Sequence, residues 1–177
     1  SADALQKEVG NRRDELEVEV ALRAPHCQLM IVDGHIRKRE SIANAVGVLK
    51  THQARYLEAA QERVIGKLGA GERTPVFAMQ TERWSGYSWY LRLPGGQGHP
   101  WAGVVRCEAS SESPAEAARL ADLTTATLPR FASNPYKDTR APQNLYPVGG
   151  LERDMRRRLG DQMWLLRALQ RAGALSS

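Results

Sequence analysis

Apolar residues recur with two periods along the chain. Over residues 3 to 24, Leu5, Val9, Leu16 and Val20 fall near helical spacing and Pro25 breaks the run, which predicts a leading helix. The short apolar runs Gln28-Leu29-Met30-Ile31-Val32 and Ala45-Val46-Gly47-Val48-Leu49 predict buried strands. Between them lies a polar connection, residues 36 to 44, with Arg37-Lys38-Arg39. Helical spacing returns over residues 53 to 68, where Tyr56, Ala60, Val64 and Leu68 make one stripe and Gly69 supplies the stop.

Three β-branched or aromatic runs follow, at 75 to 79, 87 to 93 and 102 to 108. Their links are short and turn-rich, which predicts an antiparallel meander beside the strand that ends at Asp33. A helix is expected over 113 to 131, with Ser113-Pro114 at its start, and an irregular polar stretch over 132 to 146. An arginine-rich helical hairpin closes the chain, 151 to 159 and 162 to 172, broken at Gly160-Asp161. Met163, Leu166, Leu169 and Leu175 are available to dock on the sheet or on another subunit. The expected fold class is α/β, a mixed sheet with flanking helices and a C-terminal helical hairpin.

Composition narrows this picture. The 177 residues, 42% hydrophobic, suffice for one domain with a core that needs no disulfide staples. Cys27 and Cys107 lie in or beside apolar runs without metal-ligand spacing, so both are expected to be reduced core residues of a cytoplasmic protein. No apolar run approaches the ~18 residues of a membrane span, and the opening residues carry no signal-peptide apolar region. The formal charge is +5 and the pI about 9.5, with arginines gathered at Arg12-Arg13, Arg37-Lys38-Arg39 and residues 153 to 158. Such clusters serve either as a polyanion-binding surface or as solvated helix faces.

The candidate chemistry centres on Val32-Asp33-Gly34. A carboxylate leaving the tip of a buried strand before a tight glycine turn suits a divalent-metal ligand, and the same dipeptide suits an ordinary turn. Glu15, Glu17 and Glu19 lie in the second half of the preceding helix, and the reversal at Pro25-His26 brings that helix end toward Asp33. Lys50 and His52, just past the second strand, suit a phosphate contact and a proton shuttle, or simply meet water. Arg106 and Glu108 share one strand face and serve either a phosphate and a metal or each other. Trp84, in a turn with Arg83, is the expected base-stacking residue; Trp89, Tyr90 and Trp101 read as packing. The long polar stretch 132 to 146, with Arg140 and Asn144, is placed to close over a strand-end site.

The ordered set Val32-Asp33-Gly34, Val46-Gly47-Val48-Leu49-Lys50, Tyr90-Leu91-Arg92-Leu93, Val104-Val105-Arg106-Cys107-Glu108 and Arg140-Ala141-Pro142-Gln143-Asn144-Leu145 with Leu151-Glu152 resembles the NurA family of DNA-repair nucleases. The resemblance spans about residues 13 to 170, nearly the whole of one domain covering residues 1 to 177. It implies an RNase H-like α/β fold, manganese- or magnesium-dependent cleavage of DNA in double-strand break end resection, a homodimer, and a hexameric HerA-type ATPase as translocating partner. On that reading Asp33 and Glu19, or less readily Glu17, are metal ligands. From their positions along the strands, in the basic cluster or in the polar stretch, His52 is expected to assist proton transfer and Lys50, Arg37, Arg39, Arg106, Trp84, Arg140 and Asn144 to contact DNA.

One departure from the family pattern matters. Members open with a further strand bearing an Asp-Gly-Ser type motif, and nothing before Glu15 resembles it. The expectation is therefore a later portion of a longer nuclease domain, the rival being a shortened, non-catalytic DNA-binding or docking subunit of an ATPase complex. A small-molecule phosphoryl-transfer enzyme lacks support, because Leu93-Pro94-Gly95-Gly96-Gln97-Gly98 is not followed by the Lys-Ser/Thr of a phosphate loop.

Overall fold

Five of the apolar runs pair into one mixed sheet. In chain order the strands are β1 (Met30–Asp33), β2 (Ala45–Leu49), β3 (Phe77–Thr81), β4 (Trp84–Arg92) and β5 (Val104–Ala109). They lie side by side as β1-β2-β5-β4-β3. β1 and β2 are parallel, with Asp33 opposite Val48, and the other neighbours are antiparallel. The computed structural model describes residues 2–51, 56–82, 84–96, 98–134 and 142–175, so His52 and Arg140 lie outside the described residues.

β3, β4 and β5 make the expected meander, but it adjoins β2 instead of the Asp33 strand. Burial explains the order. Every residue of β2 is buried, so it needs a neighbour and a cover on both sides, whereas β1 is half-buried and takes the edge.

The sheet is accompanied by the helices α1 (Ala2–Arg23), α2 (Ala59–Lys67), α3 (Pro114–Thr127), α4 (Tyr146–Leu159) and α5 (Gln162–Leu175). α3 starts where its sequence says it should, with the Ser113 hydroxyl accepting the Glu116 N–H and Pro114 in the first turn. Its Leu120 and Ala121 pack on Val46, Val48, Trp89, Leu91, Val105 and Cys107, the main core. The opposite sheet face carries two smaller apolar clusters. One gathers Ile36, Ile42, Ala45, Met79 and Trp84 under Val18 and Ala21 of α1. The other packs Ile65 of α2 against Tyr90 and Val104. A polar strip, Ser88, Arg106 and Glu108, lies buried on the same face.

Four sequence expectations shift. Leu5, Val9, Leu16 and Val20 are exposed, and α1 meets the body through Val18, Ala21 and the carboxylates of Asp14 and Glu17. A helix can be positioned by a few ion pairs to one buried arginine without using its most apolar stripe. The second helix begins only at Ala59, so Tyr56 is not part of its stripe. Cys27 is exposed, unlike Cys107, because the chain leaves α1 before it reaches the sheet. Of the two docking places expected for the C-terminal hairpin, Met163 and Leu166 do not use the sheet, since with Trp164 they face outward on α5; the side chains of Leu169 and Leu175 lie outside the described residues.

Candidate functional site

Two polar groupings meet where the chain leaves β1. The first is at the strand tips. Asp33 ends β1 and Lys50 follows β2, and because the strands are parallel both side chains emerge at the same end. Lys50 Nζ donates to Asp33 Oδ2 at 2.9 Å; the two side chains are 25% and 48% exposed. A carboxylate and an ammonium at the carboxyl ends of parallel strands occupy the usual ligand-facing edge of an α/β sheet.

The second grouping is built on a glycine. Gly47 of β2 pairs with Glu108 of β5, and a Cβ on Gly47 would lie 2.6 Å from both Gly34 O and Ile36 N. Only a residue without a side chain lets the 34–36 backbone cross the sheet here. That crossing, helped by the positive φ of Gly34, lays His35 and the Ile36 N–H against Glu108. Glu108 Oε2 accepts from His35 Nδ1 at 3.2 Å and from Ile36 N at 3.4 Å, while Oε1 accepts from Arg106 Nη2 at 2.7 Å.

The Arg106–Glu108 pair is buried, with 4% and 1% of the side chains exposed. Desolvating two charges costs several kcal/mol per ion, of order, and is tolerable only where further bonds satisfy them. Here Ile36 and His35 complete Glu108, and the Tyr56 ring lies 4.0 Å from the Arg106 guanidinium carbon. His35 itself is 54% exposed, so Glu108 fixes an imidazole that still reaches solvent. A pocket of about 360 Å³ opens over this cluster, walled by His35, Arg37, Tyr56, Thr81, Glu82 and Trp84.

The expected site residues distribute unevenly over this geometry. Asp33 and Lys50 come together, as does Arg37 with the pocket. Glu19 does not join Asp33: it accepts from Arg23 at 2.5 Å on its own helix, while Glu17 accepts from Arg39 and Glu15 from Arg12. Arg39 is not a surface cation. Its guanidinium donates to Glu17, Asp14 and the His35 carbonyl, and the side chain is 6% exposed. Arg106 is likewise turned inward, to Glu108 and Tyr56. Trp84 sits in β4, not in a turn, and is buried with its indole N–H donated to Ser110. Asn144 is buried beside Gly149. His52 and Arg140 are outside the described residues.

His35, Tyr56 and Glu82 are the site residues that sequence reasoning passed over. His35 had a signal, its place directly after Asp33-Gly34; Tyr56 was absorbed into a helical stripe that forms only later in the chain.

Among the described residues no group of three or more His, Cys, Asp or Glu side chains is arranged to hold a metal ion. Asp33 contributes one oxygen-ligand side chain, already bonded to Lys50. A manganese or magnesium ion held at Asp33 would draw further oxygen donors from elsewhere. Compared with protein-family models and with curated proteins, the chain matches none.

Proposed function

We propose that this chain is part of a DNA nuclease domain of the NurA kind, RNase H-like in fold and acting on broken double-strand ends with a HerA-type hexameric translocase. The observation that carries the reading is the Asp33–Lys50 pair at the tips of the parallel strands, on a chain of net charge +5. Lys50 suits a phosphate: an incoming phosphodiester exchanges for the Asp33 carboxylate as its partner and frees that carboxylate toward the strand. Arg37, exposed at the neighbouring pocket, supplies a second cation for the backbone. The five-stranded mixed sheet with its helices agrees with the α/β class that this reading needs.

Manganese or magnesium, when bound, would activate water and screen the phosphate, and Asp33 is the described carboxylate suited to it. A full ligand shell requires donors beyond the described residues, a second chain of a homodimer being one source. The rival reading, a non-catalytic DNA-binding or docking subunit, draws on the same pair, because Lys50 already neutralises the Asp33 carboxylate.

The test is cleavage of single-stranded DNA with manganese supplied. Turnover that disappears in Asp33→Ala while the fold persists supports the nuclease. DNA binding with no metal-dependent turnover, alone and with the ATPase, transfers the proposal to the docking subunit.

A further inference from the structure

The pocket over the Glu108 cluster lends Arg37 to the phosphate chemistry above, while its remaining walls have no role there. Its volume, about 360 Å³, is enough for a single planar heterocycle. Its walls are of two kinds. Tyr56 and Trp84 supply aromatic surface, Trp84 as a buried wall fixed by its bond to Ser110. His35 and Glu82 supply hydrogen-bonding groups and Arg37 an exposed cation, while the Thr81 hydroxyl is bonded to the Trp84 backbone.

Two of these groups are held from behind. One face of the Tyr56 ring lies on the Arg106 guanidinium, 4.0 Å away, so the ring offers the pocket its other face or its rim. Arg106 is locked in turn by Glu108. The same Glu108 carboxylate takes His35 Nδ1, which leaves Nε2 as the ring nitrogen for a ligand. A rigid aromatic platform, an oriented polar edge and a nearby cation form the combination that receives an unstacked base with its phosphate.

We infer that this pocket binds one unpaired nucleobase of a single-stranded DNA end, stacked at Tyr56 and hydrogen-bonded at its edge by His35, with Arg37 on the adjoining phosphate. The inference rests on the DNA reading above. His35 and Tyr56 are binding residues here, and the base so held sets the register of the strand relative to Asp33, two residues from His35 in the chain.

The experiment compares binding of a short single-stranded DNA with binding of an abasic oligomer of the same length, and of a deoxynucleoside monophosphate, to the whole chain. The base-bearing strand is expected to bind about five- to hundredfold more tightly than the abasic one, the range that stacking one base on an aromatic ring supplies. Tyr56→Leu and His35→Ala abolish that preference and keep abasic binding, while Tyr56→Phe retains it. Thermal melts show that the variants are folded, and the Phe variant separates loss of stacking from disturbance of Arg106.

Equal binding of the base-bearing and abasic strands overturns the pocket and leaves the DNA reading standing. Monophosphate binding that is lost in His35→Ala, with no strand bound at all, supports the pocket and defeats the DNA reading. No binding of strand or monophosphate defeats both.

Discussion

Gly47 lies opposite Glu108 across β2 and β5, and the space that a side chain on Gly47 would fill is taken by the backbone of residues 34–36. The glycine thus sets the distance between the turn after Asp33 and the buried carboxylate. A Gly47→Ala change puts a methyl group 2.6 Å from two backbone atoms that cannot rotate away. The expected cost is roughly 1–3 kcal/mol, read from denaturant melts. His35 should lose its bond to Glu108, which imidazole NMR shifts would register; unchanged stability and shifts would contradict the close approach.

Glu108→Gln should cost more. It leaves the Arg106 charge buried without a counterion, a change worth roughly 3–5 kcal/mol. Replacing both partners by Leu should recover much of that loss, since no charge then remains in the interior. Chemical denaturation of the single and double variants decides; a double variant as unstable as the single one would show that the pair is net stabilising.

Asp33→Ala is expected to separate stability from activity. The Asp33–Lys50 pair is about half and a quarter exposed, and such pairs contribute ~0–1 kcal/mol. Melting should change little while any manganese-dependent cleavage is lost. A large drop in stability would assign Asp33 a structural role.

Acid should weaken the attachment of α1 through Asp14. Burial pushes the Asp14 carboxyl upward, but hydrogen bonds from Lys38 and Arg13 and the charges of Arg39 and Lys38 together outweigh it and hold it below the ordinary value of 3.8. A carboxyl lowered on folding stabilises the native state above its unfolded pKa, and that contribution disappears as pH falls through the folded pKa. The stability gap between wild type and Asp14→Asn should therefore be full near neutrality and shrink below about pH 4, where the unfolded carboxyl begins to take up protons. A gap that does not change with pH would remove Asp14 from the acid response.

The two thiols should differ sharply toward a disulfide reagent. Cys27 is exposed, whereas Cys107 is fully buried, its thiol pushed far up by desolvation first and by Glu108 next, with Arg106 opposing. One thiol should react at once in the folded protein and the second only on unfolding. Two fast thiols would contradict the packing of β5.

Legibility along the chain follows the source of the signal. β2, α3 and the β3-β4-β5 meander were readable because continuous apolar runs, a serine cap and turn-rich links are local properties. The pairing of Asp33 with Lys50 was half-readable: both were singled out as strand-end residues, and the parallel register then brought them together. Glu19 and Arg39 were misplaced because a charged side chain carries no local mark of its partner. Arg23 took Glu19, and Arg39 went inside to Asp14 and Glu17.

Periodicity and turn chemistry sufficed for the α/β class and the strand content, since each depends on neighbours a few residues apart, and composition alone for the basic character. The strand order and the buried Arg106–Glu108 pair belong to the tertiary structure. So does the pocket gathered from residues 35, 56 and 82, far apart in sequence. These depend on which strand could be buried on every side, and on the absence of a side chain at Gly47 beneath a crossing backbone.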